Sequence, residues 1–300
     1  MKKTILILLA ITTFGCKNDN PSNGNLNVVT TTTMITDLVK NIGGDLINVQ
    51  GLMGSGVDPH LYKASEGDVT KLVNADIIFF NGLHLEGKLV EIFEKMTTKT
   101  PVALAEELDK TTLIGSDYFA SNYDPHVWFN INYFKKFADK VTQVLSEKDP
   151  ENASKYADNK KAYLTKLDAL QSKINSKIET LPKDKRILVT AHDAFNYFGK
   201  NYGFEVVGLQ GLSTATEAGV QDVQRLAAFI IEKDVKAIFI ESSVPKRTVE
   251  ALQAAVKSKD HEVTIGGTLY SDALGNAGTI EGTYIGMFEY NVNTIVNALK

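Results

Sequence analysis

The tripeptide Asp-Pro-His occurs twice, in "GSGVDPHLYKASEGDV" (54–69) and in "NYDPHVWF" (122–129), in a chain with five histidines and seven prolines. The recurrence singles out His60 and His126. A third histidine, His192, closes the apolar run "KRILVTAH" (185–192), and Asp272 follows the run "HEVTIGGTLY" (261–270) in "LYSDALG". Imidazoles and a carboxylate together suit a divalent first-row cation. Pro59 and Pro125 fix their own φ and push Asp58 and Asp124 into extended geometry, so the backbone entering each histidine is stiff. Asp58 and Asp124 are then candidates to orient an imidazole N–H. The plainer reading is that Asp-Pro starts a turn. Spacing alone does not choose between the two, because no local signature such as H-E-x-x-H or C-x-x-C is present.

What must position these residues is an alternation of strands and helices. Strand-like runs are "LNVVTTT" (26–32), "LINVQGLM" (46–53), "ADIIFFNG" (75–82) and "PVALAEEL" (101–108). Between them, "MITDLVKNIGG" has apolar residues at 34, 35, 38, 39 and 42 and ends in glycine, which predicts a helix. "SEGDVTKLVNA" opens on Ser65 with Asp68 three residues on, a variant of the capping box. A helix is also expected around "NYFKKFADKVTQVLSE". From Glu151 to Leu181 no Gly or Pro interrupts, and apolar residues at 156, 163, 167, 170, 174, 178 and 181 mark one helix face. At 1.5 Å per residue this is a rod of about 45 Å. The alternation then restarts with 185–192, "FEVVGLQGL" (204–212), "VKAIFIESS" (235–243) and 261–270. Helices are expected at "AFNYFGKNYG", "QDVQRLAAFIIEKD", "PKRTVEALQAAVKSKD" and the terminal "TYIGMFEYNVNTIVNALK".

The expected class is therefore α/β, with two lobes, each a four-stranded mostly parallel sheet with flanking helices, joined by one long spine helix. His60 and His126 fall in the first lobe and His192 and Asp272 in the second, each near a strand end, where open α/β sheets place ligand residues. A cleft between lobes is the favoured ligand site.

Composition bounds the classes of function. Charged residues of both signs are mixed throughout and the net charge is -4, so no basic stripe for nucleic acid exists. No G-x-x-x-x-G-K-[ST] loop for a nucleotide is present. The N-terminus is distinct: "MKK" is basic, "TILILLAIT" is apolar and too short to span a bilayer, and "TFGC" ends in Cys16, the only cysteine. Gly15–Cys16 resembles a bacterial lipoprotein cleavage site, with Cys16 as the lipid anchor, although Thr13 stands where such sites usually carry Leu. The alternative is an ordinary secretory signal with an incidental cysteine. "KNDNPSNGN" after it reads as a flexible tether. The expected division is 1–16 signal, 17–25 tether, 26–149 N-terminal lobe, 150–182 linking helix and 183–300 C-terminal lobe.

Five stretches resemble, in combination, the metal-binding lipoproteins of bacterial ABC importers for zinc and manganese, the family with a rigid helical backbone. They are "GVDPHLYKASEGDVTKLVNADIIFFNGLHLE" (56–86), "DPHVWF" (124–129), "AHDAFNYFGKNYG" (191–203), "ESSVPKRTVEAL" (241–252) and "LYSDALG" (269–275), which run nearly end to end. The resemblance implies metal ligands at His60, His126, His192 and Asp272. It also implies a monomeric, non-enzymatic capture protein outside the cytoplasm, lipid-anchored in a periplasm or on a cell surface, that serves a membrane permease. Manganese-preferring members commonly carry Glu where His192 stands. The zinc branch often has a His- and acid-rich loop, which "TLIGSDYFASNY" (112–123) does not supply. Three imidazoles and one carboxylate favour Zn(II), with Mn(II) close behind. His84, in "NGLHLEGK", is expected to be structural or cleft-lining, and His261 to be exposed. Two other classes are weighed. A secreted zinc hydrolase needs an open metal position and a base, for which only Glu217 or Glu241 offers itself. A surface adhesin would hold its metal for structure alone.

Overall fold

The computed structural model describes residues 25–96 and 99–300. The signal at 1–16, Cys16 and all of the tether except Asn25 lie outside the described residues. In the first half, β1 (Leu26–Thr30), β2 (Ile47–Gly51), β3 (Ile77–Phe80) and β4 (Val102–Ala103) form a parallel sheet in the order β2-β1-β3-β4. In the second half, β5 (Ile187–His192), β6 (Glu205–Gln210), β7 (Ala237–Glu241) and β8 (Thr264–Leu269) repeat that order as β6-β5-β7-β8, again all parallel. The two sheets thus share one topology although no sequence repeat announces it.

The expected strands all form, but the run 101–108 yields only two strand residues. Val102 and Ala103 pair with Phe79 and Phe80, and the chain then turns into a 3-10 segment, Leu104–Glu107. Leu104 and Ala105 enter the core from that turn.

Helices fill the connections: α1 (Thr33–Gly43), α2 (Glu66–Asn74), α3 (Gly87–Glu94), α4 (Ile131–Lys148), α5 (Ala153–Glu179), α6 (Asn196–Tyr202), α7 (Val220–Glu232), α8 (Arg247–Lys257) and α9 (Tyr284–Leu299). Helix α3 has no counterpart in the sequence reading. Thr32 caps α1, whose five expected apolar positions are all buried. The capping box on α2 forms as expected: the Ser65 hydroxyl accepts from Asp68 N–H, and Asp68 accepts from Ser65 N–H. The rod is α5, 27 residues or about 40 Å long. Its expected stripe, Tyr156, Tyr163, Leu167, Leu170, Ile174, Ile178 and the following Leu181, is buried throughout.

That stripe packs on α1 and α4 of the first half and on α9 of the second. The consequence is one continuous apolar core that contains residues from both sheets, from Val28 and Phe79 to Leu188 and Phe239, and the helices between them. Phe134 of α4 stacks on Tyr284 of α9 with centroids 3.8 Å apart, and Phe129 lies 4.4 Å from Phe195. Asp37 of α1 ties three elements, accepting from Tyr284 N–H (3.0 Å) and from the Tyr163 hydroxyl (3.5 Å). Separate smaller cores cover the outer faces, with Leu72, Leu89 and Phe93 on the first sheet and Leu226, Ile230 and Leu252 on the second. No described helix is long and apolar enough to cross a membrane.

Candidate metal centre

Parallel sheets leave their loops at the carboxyl ends of the strands, and here those ends of the two sheets face each other. His60 arrives on the loop after β2. His126 arrives at the end of the 112–126 segment, just before the 3-10 turn Val127–Phe129. His192 is the last residue of β5, and Asp272 follows β8. The four residues expected from the sequence are thus brought together, two from each half. Each offers one ligand atom, and those atoms all lie within 4.8 Å of one another.

The spacing is close to that of a filled coordination shell. His60 Nε2 is 3.3 Å from His126 Nε2, and His192 Nε2 is 3.2 Å from Asp272 Oδ2. His126 Nε2 lies 3.6 Å from Asp272 Oδ1, and His60 Nε2 lies 3.9 Å from Asp272 Oδ2. A tetrahedral ion with bonds of about 2.0–2.1 Å sets its ligand atoms roughly 3.3–3.4 Å apart. The observed contacts run from that edge length to about half an ångström beyond it. Both Asp272 oxygens, both ring nitrogens of His192 and Glu241 Oε2 are buried without a hydrogen-bond partner among the described residues. Convergent polar atoms of this kind, away from water, are costly unless a proton or a metal cation joins them.

The two Asp-Pro-His segments share one construction. Asp58 Oδ1 accepts from His60 N–H (2.8 Å) and Asp124 Oδ1 accepts from His126 N–H (2.9 Å). The second oxygen of each reaches across the cleft. Asp58 Oδ2 accepts from the Thr214 hydroxyl, and Asp124 Oδ2 accepts from Asn196 Nδ2 (3.1 Å). The expected imidazole contact holds for one aspartate only. Asp124 Oδ1 also takes the His126 ring at Nδ1 (2.7 Å), whereas Asp58 takes only the His60 backbone. An ionised carboxylate only accepts, so His126 carries its proton on Nδ1 and aims a bare Nε2 at the cluster.

Glu241 stands behind His192 as Asp124 stands behind His126, but with a hydrogen bond only to the backbone and a close contact, not a hydrogen bond, to the ring. Its Oε1 accepts from His192 N–H (2.9 Å), and its Oε2 lies 2.6 Å from His192 Nδ1. The sequence offered Glu241 only as a hydrolytic base, and the structure instead packs it behind His192, a candidate ligand. Glu217, the other candidate base, is exposed and pairs with Arg247 at 3.3 Å. The signal for Glu241 was its place at the end of β7, adjacent to β5 in the sheet, and it becomes visible only once the strand order is known.

Charge follows the geometry. Burial pushes the His60 imidazole down to about 3, so His60 is neutral and ligand-ready across the physiological range. Burial opposes charge on Asp272, but His192 and then the other two imidazoles outweigh it and hold that carboxyl well below the usual range. Burial likewise opposes charge on His192, yet Glu241 and then Asp272 hold its proton well above the ordinary value. The remaining histidines behave differently. His84 is exposed and lines a small cavity together with His60, as the cleft-lining expectation allowed. His261 is half-buried rather than exposed, because its ring packs toward Asp234, with Nε2 3.6 Å from Oδ1.

Trp128 closes the floor. It is the only tryptophan in the chain, it is buried, and its indole N–H donates to Ser271 O (3.0 Å) across the halves, one residue before Asp272. Its ring centre is 5.3 Å from that of His126.

Comparison with known proteins agrees with this picture. The chain is 45% identical to the manganese-binding lipoprotein MntA of Bacillus subtilis, with both chains covered in full. It is 48% identical to the zinc-binding protein TroA of Treponema pallidum, over 95% of this chain and 92% of that one. The solved structure of the periplasmic zinc-binding protein TroA superposes with a TM-score of 0.90, covering 92% of this chain and 99% of the other. Residues 28–298 match the family described as zinc-uptake complex component A, periplasmic, and the chain belongs to that family.

Proposed function

We propose that this protein captures one divalent metal ion between its halves on His60, His126, His192 and Asp272, and delivers it to the membrane permease of an ABC-type importer. The observation that carries the reading is the buried set of four candidate ligand atoms, all within 4.8 Å of one another, with a carboxylate behind two of the imidazoles. Zn(II) is the first choice for three imidazoles and one carboxylate. Mn(II) is the second, because both Asp272 oxygens face the cluster and a bidentate carboxylate would give the oxygen-richer shell that manganese prefers. Overall likeness does not separate the two, since a manganese-named and a zinc-named relative are about equally similar.

Four protein ligands close the shell, and a catalytic zinc keeps a position open. With Glu241 engaged on His192, the site favours a carrier over a hydrolase. The relatives named as lipoproteins support an extracytoplasmic, membrane-anchored protein. Lipidation at Cys16, a tether to residue 25, lobes at 26–149 and 183–300 about the 150–182 linker, and a monomeric state complete the reading. The test is elemental analysis of protein purified without chelator, followed by competitive titration with Zn(II) and Mn(II). One bound ion per chain, lost in Asp272→Ala, is expected. No stoichiometric ion, or binding indifferent to that substitution, refutes it.

A further inference from the structure

The four ligand candidates differ in access. His126, His192 and Asp272 are at most 1% exposed, whereas His60 is 5% exposed. His60 therefore faces the way in. The cavity that it lines measures about 140 Å³ and is also lined by His84, Lys88 and Phe119. Phe119 stands edge-on to both imidazoles, with centroids 6.2 Å from His60 and 6.2 Å from His84.

The backbone expends strain to put His84 there. Gly82, Leu83 and His84 lie consecutively in the left-handed region, at φ 87°, 50° and 63°. For Leu and His that conformation costs about 1–2 kcal/mol each. Its effect is to send Leu83 and Leu85 into the core and turn the imidazole between them outward. The turn is braced by the buried Glu86, which accepts from the Thr31 hydroxyl (2.7 Å), Asn81 N–H (2.8 Å) and Gly82 N–H (3.3 Å). Gly87 leaves the ring its space, since a Cβ there would lie 2.9 Å from His84 Nε2. Strain that persists in a braced loop at a cavity mouth is a mark of a functional position.

We propose that His84 is a transient first ligand at an entry port, taking an incoming divalent cation before His60 draws it past Phe119 into the four-ligand centre. This rests on the metal-capture reading above. Lys88 in the same cavity repels a cation, so the outer position holds one weakly and passes it on. A residue that serves only the path changes the association and dissociation rates by the same factor and leaves the equilibrium affinity unchanged.

The experiment is stopped-flow mixing of metal-free protein with Zn(II), read by Trp128 fluorescence, alongside equilibrium competition against a chelator. His84→Asn removes the imidazole and keeps a residue that tolerates the left-handed region. His84→Gly, which tolerates any φ, carries the same test if the first variant does not fold. Association and dissociation are expected to slow together by several-fold at constant affinity, and Lys88→Gln is expected to speed association. Unchanged rates in both His84 variants overturn the port. Lost affinity with an unchanged association rate overturns it too, because His84 would then be a resident ligand or a structural group. A wild-type protein that binds no zinc overturns the four-ligand centre itself, an outcome distinct from the other two.

Discussion

Asp124→Asn tests how the second oxygen of an Asp-Pro-His aspartate supports the site. The substitution keeps a carbonyl oxygen where Oδ1 accepts from His126 N–H (2.9 Å) and Nδ1 (2.7 Å), so the tautomer that bares Nε2 is retained. The new amide nitrogen then meets Asn196 Nδ2 across a 3.1 Å contact, two donors facing each other. Turning the amide over moves the conflict to the His126 donors instead. Either way a buried polar group loses its partner, at about 1–3 kcal/mol. The imidazole also loses its anionic support, a change that typically lowers metal affinity about 10–100-fold, or about 1.4–2.7 kcal/mol. The metal-free variant should therefore melt a few degrees lower and bind zinc one to two decades more weakly by chelator competition. Adding Asn196→Asp restores a donor-to-acceptor contact between the halves. The melting temperature should then recover while the affinity recovers only in part, and the double-mutant cycle measures the coupling. An Asp124→Asn protein with wild-type melting and wild-type affinity would refute the reasoning.

Other consequences follow from the same contacts. His192 is held above its ordinary value by Glu241 and Asp272, so the metal-free site carries a proton at neutral pH that the ion must expel. Affinity should rise with pH by about tenfold per unit while that proton is bound, and Glu241→Gln should flatten the slope in pH-resolved titrations. Asp68 lies below the usual carboxylate range because hydrogen bonds from Ser65, Lys71 and Tyr62 outweigh its desolvation. A depressed folded value means stability present above the unfolded value of about 3.9 and lost as pH falls below it. Asp68→Ala should remove that acid dependence and cost about 1–3 kcal/mol through the hydrogen bonds that the Asp68 carboxylate accepts from Ser65, Lys71 and Tyr62, as read by urea unfolding across pH. Trp128→Phe deletes the indole donor to Ser271 O and should lower stability by about 1–3 kcal/mol, measured by thermal melting. Because one core runs through both halves and α5 packs on each, X-ray scattering should show an unchanged radius of gyration when zinc is added. A shrinkage typical of hinge closure would count against that rigidity.

The candidate ligands were legible one by one, from the repeated Asp-Pro-His and from the apolar runs that His192 closes and Asp272 follows. Only the family resemblance joined them into one set, and His126 lies in a loop well beyond β4 rather than at a strand end. The α5 stripe and the Ser65–Asp68 box were legible because helix periodicity and capping are local. The role of Glu241 was not, since it depends on β7 lying beside β5. Nor were the Asn196 and Thr214 partners of the two aspartates, which join residues 72 and 156 positions apart. The strand at 101–108 was expected, but its shortness was not legible, for a related reason. "PVALAEEL" carries strand-like apolar content, but only Val102 and Ala103 find β3 beside them, and the rest fills the core as a 3-10 turn. The continuity of the core through both halves was hidden by the same limit: periodicity shows which face of a helix is buried but not which partner buries it.

The central claim is a single ion shared by the two halves through four side chains. The most direct measurement is anomalous diffraction from crystals of the zinc-loaded protein, recorded on both sides of the zinc absorption edge. One peak is predicted, about 2.0–2.2 Å from Nε2 of His60, His126 and His192 and from a carboxylate oxygen of Asp272. A peak elsewhere, or one at this place bonded to residues of one half only, would contradict the account.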